Sequence, residues 1–160
     1  VEIHPETPHG GQPLTDRFRQ EDIDRMMQHL RSMGAPFGIT FADRPFLSNS
    51  RLALIAAELA RDQGRFQAVH EAIFAAYFSQ GLDIGDLEVL SKIVQEAGID
   101  AALLADAVRN NTYASRLQQA QRLAAQTGVS GVPTFVLNNK RTIVGAQPLD
   151  VFRKALTKKN

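Results

Sequence analysis

The 160-residue chain reads as an α/β fold carrying a large all-helical insertion. Three observations predict it. β-type segments stand at the two ends: residues 1–4 alternate apolar and polar side chains, and residues 133–144 hold two further strand-like runs. Between them lie about 125 residues patterned as some six helices, too many for a crossover and enough for an inserted unit. The composition, 44% hydrophobic and 22% charged, is that of an ordinary globular protein. At this length a core closes without a disulfide or metal.

The elements follow in order. Val1-Glu2-Ile3-His4 is the first strand, opening as if in mid-strand. His4-Pro5-Glu6-Thr7-Pro8-His9-Gly10-Gly11 is a loop, with two prolines and two glycines. Residues 20–33 form a helix with Ile23, Met26, Met27 and Leu30 on one face and Gly34 as its C-terminal cap. Residues 35–46 are an irregular connector. Ser48-Asn49-Ser50 offers capping oxygens to an alanine- and leucine-rich helix over residues 50–63, closed by Gly64. The next helix covers residues 65–79, with Phe66, Val69, Ile73, Phe74, Tyr77 and Phe78 inward and Gly81 behind it. Asp86 and Asp100 read as N-caps of two shorter helices, the first stopped by Gly98. A further helix starts at Asn111 or Thr112 and runs to Gln126, where Gly128 stops it.

The pattern then changes. Thr134-Phe135-Val136-Leu137, turn residues Asn138-Asn139-Lys140 and Arg141-Thr142-Ile143-Val144 spell a hairpin. Gly145-Ala146-Gln147-Pro148 is a turn, and Pro148 opens a last helix with Val151, Phe152, Ala155 and Leu156 toward the core. Arg153, Lys154, Lys158 and Lys159 complement the negative end of that helix. Three strands and one helix make a thin layer, which implies that part of the α/β domain precedes Val1.

The chemical inventory excludes more than it offers. A net charge of +1 gives no basis for binding nucleic acid or an anionic membrane. No apolar run approaches the ~20 residues of a membrane span. None of His4, His9, His29 and His70 forms a ligand pair of the HExxH type, so no metal site is expected; His29 and His70 read as solvated. Asp83-Ile84-Gly85-Asp86 looks like part of a calcium loop, but its twelfth position is Val94, and helix capping accounts for it better. Nucleophile-elbow, Walker and dinucleotide fingerprints are absent. The chain has no cysteine, so its own side chains carry no thiol–disulfide chemistry.

The most distinctive segment is Gly128-Val129-Ser130-Gly131-Val132-Pro133-Thr134-Phe135-Val136-Leu137. Proline is tolerated at a strand start because its missing N–H is not needed there. A cis Val132-Pro133 bond would turn the preceding backbone groups outward, toward an extended peptide or glutathione. An ordinary trans proline fits the same spacing.

Gly131-Val132-Pro133-Thr134-Phe135, the hairpin and Gly145-Ala146-Gln147-Pro148 resemble the end of DsbA-family thioredoxin-fold proteins. The FrnE-like branch, related to 2-hydroxychromene-2-carboxylate isomerases, is the nearest likeness. Upstream, Asn49-Ser50-Arg51-Leu52-Ala53, Gly64-Arg65-Phe66, Ala76-Tyr77-Phe78, Gly81-Leu82-Asp83-Ile84 and Ala97-Gly98-Ile99-Asp100 look like that family's helical insertion, and Val1-Glu2-Ile3-His4-Pro5 like its second strand.

The resemblance implies a thioredoxin-like fold, incomplete at the N-terminus. Residues 1–12 and 128–160 would form the thioredoxin-like part and residues 13–127 the insertion. It implies a cis Val132-Pro133 bond and a dithiol oxidoreductase whose strand and C-x-x-C helix would precede Val1. Gly131, Val132, Pro133 and Thr134 are then substrate-binding, no residue of this chain is catalytic, and no cofactor is needed. The partner is a disulfide-containing protein or peptide, or a small thiol, in the cytoplasm. Two other readings share the fold: a glutathione-dependent isomerase or transferase, and a redox-inactive module that binds peptides or a partner. In the last, the face left bare by a missing helix would favour a homodimer.

Overall fold

The computed structural model describes residues 1–129, 131–138 and 141–157. Ser130, the expected turn residues Asn139 and Lys140, and Lys158 and Lys159 of the basic cluster lie outside the described residues. The chain divides into two units, one of residues 2–117 and one of residues 118–160 with Val1.

The core of the larger unit grows from α2 (Arg51–Asp62), which packs against α3 (Phe66–Phe74), α4 (Leu87–Glu96) and α5 (Ala101–Arg109). On α2, Ala53, Ile55, Ala56, Leu59 and Ala60 are buried, at helical spacing. Its alanines leave room for the neighbouring helices to approach. Val69, Leu90, Val94 and Leu104 fill that room and are fully buried. Each such side chain contributes roughly 1.5–3 kcal/mol of burial.

Both aspartate caps form as expected. Asp86 accepts the Glu88 N–H at 2.7 Å, and Asp100 accepts that of Ala102 at 2.9 Å. At the start of α2, Ser50 makes no side-chain cap bond. Asn49 serves instead. Its Oδ1 accepts the Arg51 N–H at 2.9 Å, and its Nδ2 donates to the Thr7 carbonyl at 2.6 Å. One buried amide thus starts the helix and ties down the N-terminal loop.

Four expectations are corrected. Residues 1–4 are not a strand: Val1 is 42% and Ile3 41% exposed, and no strand lies alongside them among the described residues. A strand pattern without a neighbour leaves its peptide groups to water, so the three-stranded sheet does not form. Two antiparallel pairs stand in its place: β1 (Gln12–Pro13) with β2 (Phe46–Leu47), and the C-terminal hairpin.

Gly34 is no cap either. It lies inside α1 (Gln20–Gly34), and the chain turns on through a 3₁₀ segment, Ala35–Phe37, to Gly38 at φ 69°. Gly34 is glycine for space, since a Cβ there would stand 2.8 Å from the Phe41 ring.

The third correction concerns α3, which passes into a π-helical turn, Ala75–Ser79. Val69, Ile73 and Ala76 hold the core, while Phe74 and Phe78 are 52% and 39% exposed. The wide turn leaves the Phe78 carbonyl to accept the Ala42 N–H at 2.8 Å. The connector is fastened here twice more, by Ser79 Oγ to the Thr40 carbonyl at 2.8 Å and by Tyr77 OH to the Phe46 carbonyl at 2.7 Å. Burial raises the Tyr77 pKa above its ordinary value.

The last correction is on α7 (Leu149–Thr157), where Leu156 is 68% exposed rather than inward. The helix meets the hairpin through Phe152, whose ring packs edge-on against Phe135 at 4.8 Å. Arg141 Nη1 donates to the Ala155 carbonyl at 2.9 Å. Leu156 stands in the last turn of the helix, past the Phe152 contact, and its side chain is left to solvent.

Candidate substrate-binding loop

The loop of residues 131–134 is positioned from both sides by the smaller unit. On its N-terminal side α6 (Ala114–Gln126) is stopped by a left-handed Gly128, φ 68°. The Val129 N–H then reaches back to the Ala124 carbonyl at 2.9 Å, and the Gly128 N–H to that of Ala125 at 3.1 Å. Thr127 Oγ1 adds a bond to the Leu123 carbonyl at 2.8 Å.

On the C-terminal side the loop feeds β3 (Thr134–Leu137), paired antiparallel with β4 (Arg141–Val144) in the register Thr134↔Val144 to Leu137↔Arg141. Two bonds fasten the loop itself. Thr134 Oγ1 donates to the Gly131 carbonyl at 2.5 Å, and the Gly145 N–H donates to the Pro133 carbonyl at 2.8 Å. Gln147 Nε2 holds the second turn by donating to the Val144 carbonyl at 3.0 Å.

The Val132-Pro133 bond is cis. Val132 is 60% exposed and Pro133 is exposed beside it. Among the described residues nothing hydrogen-bonds the Val132 N–H or C=O. The four residues named from the sequence are thus brought together as one anchored loop, and they divide the work. Gly131 and Thr134 fasten it internally, while Val132 and Pro133 face outward. Sequence reasoning missed Gly145 as part of this construction, although Gly145-Ala146-Gln147-Pro148 had already stood out as a motif.

The loop has a defined but limited chemistry. It presents an apolar surface and a free peptide group, which suit an extended chain laid along it. Its one hydroxyl, Thr134 Oγ1, is tied to the Gly131 carbonyl, and it carries no side-chain acid or base. The histidines are not gathered near one another: His4 lies beside Glu6 and Arg17, His9 and His29 are exposed, and His70 is stacked between Phe66 and Phe74 rather than solvated. Arg17 and the backbone at Glu6 hold the Glu6 carboxyl below its usual range, the backbone bond being the larger cause. The Asp83 segment is local: its carboxylate accepts the Gly85 N–H at 2.9 Å. No group of histidine, cysteine, aspartate and glutamate among the described residues could hold a metal ion.

Comparison with known proteins gives this loop its context. A family model described as a DSBA-like thioredoxin domain matches residues 1–157. The crystal structure of a probable DsbA oxidoreductase from Streptomyces coelicolor superposes with a TM-score of 0.86 at 29% identity, over 98% of this chain and 71% of that one. The uncharacterized protein YwbO of Bacillus subtilis is 31% identical over 107 residues, 66% of this chain. That match takes in 53% of the YwbO length.

Proposed function

Because the chain belongs to the family of DSBA-like thioredoxin domains, we propose that residues 131–134 hold a disulfide-containing polypeptide for a thiol–disulfide oxidoreductase whose reactive cysteines lie outside these 160 residues. The observation that carries the reading is a conjunction. A thioredoxin-like scaffold with an outward-facing Val132-Pro133 loop stands in a chain without a single cysteine.

In this reading the chain's part is to bind and orient. Val132 offers its N–H and C=O to the backbone of an extended substrate, and its side chain with that of Pro133 offers an apolar seat. A thiolate supplied by the rest of the polypeptide attacks one substrate sulfur and expels the other, and such exchange is fast only when the sulfurs are held in line. Placement in the FrnE-like branch and in the cytoplasm belongs to the same proposal. Its support is the Gly145-Ala146-Gln147-Pro148 turn for the branch, and the location follows from the branch alone.

The test has two stages. Intact mass and thiol titration of the polypeptide isolated from its own host should reveal more than these 160 residues, with two titratable thiols. A native polypeptide free of thiols would sink the oxidoreductase reading and leave a redox-inactive, peptide-binding module. Where thiols are found, Val132→Asp in that polypeptide should raise KM for a scrambled disulfide substrate about tenfold with a smaller change in kcat. If glutathione alone saturates the site and Val132→Asp leaves polypeptide turnover untouched, the glutathione-dependent isomerase or transferase reading replaces it.

A further inference from the structure

We propose that Arg116 is a positioning residue for the 131–134 loop: it clamps the first turn of α6 to the end of α2, and so keeps ordered the helix whose last turn fastens that loop. This role rests on the reading of the loop as the seat for substrate.

α2 carries two carboxylates, Glu58 and Asp62, one turn apart on the same side of the helix. Like charges at that spacing repel, so the pair does nothing for α2 by itself. Arg116 joins them. Its Nη1 donates to Asp62 Oδ1 at 2.7 Å and to Glu58 Oε2 at 3.3 Å. Tyr113 takes the other oxygen of Asp62, donating from its OH to Oδ2 at 3.1 Å. The Arg116 guanidinium also stands over the Tyr113 ring, 5.3 Å from its centroid. Asp62 is thus gripped at both oxygens, and the hydrogen bond from Arg116 holds its carboxyl below the usual range. A single exposed ion pair would contribute little. This one is a network: one guanidinium serves two carboxylates, and it is seated on a tyrosine that is 6% exposed. All four residues lie in the larger unit.

α6 depends on that anchor. It has 13 residues, and none of them is buried. A free helix of that length is marginal in water, because a costly first turn must form before the rest can propagate. Here the first turn is fixed from outside, by the clamp and by Leu117, which packs half-buried against the core cluster. The benefit is felt at the far end. The Thr127, Gly128 and Val129 N–H groups bond back to the carbonyls of Leu123, Ala125 and Ala124. Those bonds exist only while the last turn is helical, and the loop begins directly after them.

Hydrogen exchange on the full polypeptide tests the clamp without reference to activity. Arg116→Gln should speed exchange at the Thr127, Gly128 and Val129 amides about fivefold and leave α4 and α5 as they were. Asp62→Asn should act on the same amides, and adding it to Arg116→Gln should bring little more, since both break one network. Tyr113→Phe, which removes only a hydroxyl, should move them less in the same direction, and Arg116→Lys should recover part of the protection. Unchanged exchange at these three amides, or equal acceleration in α4 and α5, would overturn the proposal. So would full additivity of the two substitutions.

Turnover of the scrambled disulfide substrate then links the clamp to the loop. Arg116→Gln should raise KM about threefold with a smaller change in kcat. If Val132→Asp raises KM and Arg116→Gln does not, the positioning role fails and the reading of the loop stands. If neither does, that reading fails, and exchange alone decides whether Arg116 orders α6.

Discussion

Gly34 shows how one atom's worth of space can outweigh helix propensity. In an open helix, alanine would be better than glycine by about 1 kcal/mol. Here a Cβ would stand 2.8 Å from a Phe41 ring carbon and 3.1 Å from the Ile39 carbonyl oxygen. Phe41 is packed edge-on to Phe78, and the Ile39 oxygen is backbone, so neither yields freely. Gly34→Ala should therefore destabilise the protein by about 1–3 kcal/mol in urea unfolding. Gly10→Ala, with nothing within 4 Å of the added Cβ and no left-handed φ, should be neutral to stabilising, by up to about 1 kcal/mol. Val132 shows the converse: its importance lies in what it leaves unfilled, an exposed side chain and an unpaired peptide group on a loop fastened at Gly131 and Pro133.

Among the helices, ends are decided by side-chain oxygens and faces by packing, and the two differ in how directly the sequence shows them. Asp86 and Asp100 were legible because an aspartate before an apolar stripe satisfies orphan N–H groups locally. Asp86→Ala should cost about 1 kcal/mol, read as a lower melting temperature, and Asp86→Asn should restore most of it. The start of α2 was less legible. Three polar residues stand in a row there, and the buried amide of Asn49 took the role because it also reaches Thr7. The π turn of Ala75–Ser79 was not legible at all. It depends on partners some 30 to 40 residues away, such as Ala42 and Phe46, and no local periodicity reports them. With it went the inward reading of Phe74 and Phe78, whose rings are exposed.

The two units of the molecule differ in how much apolar surface they close. Buried hydrophobic residues from Ala53 to Tyr113 form one cluster in the larger unit, whereas in the hairpin and α7 Ile143 is the one buried hydrophobic residue among the described residues. Local opening costs least where few apolar contacts are lost. Hydrogen exchange should therefore show stronger amide protection in α2, α4 and α5 than in β3 and β4; equal protection in both would contradict this account. The ordered helices, the hairpin, the two aspartate caps and the segment from Gly131 to Thr134 could all be read from the chain, because each rests on interactions a few residues apart. Family membership could be read too, since the motifs that carry it are contiguous. The fate of residues 1–4, the role of Gly34, the exposed rings of Phe74 and Phe78 and the anchoring of Pro133 by Gly145 came only with the folded chain. Each depends on whether a distant partner arrives at bonding distance, and no local pattern encodes that.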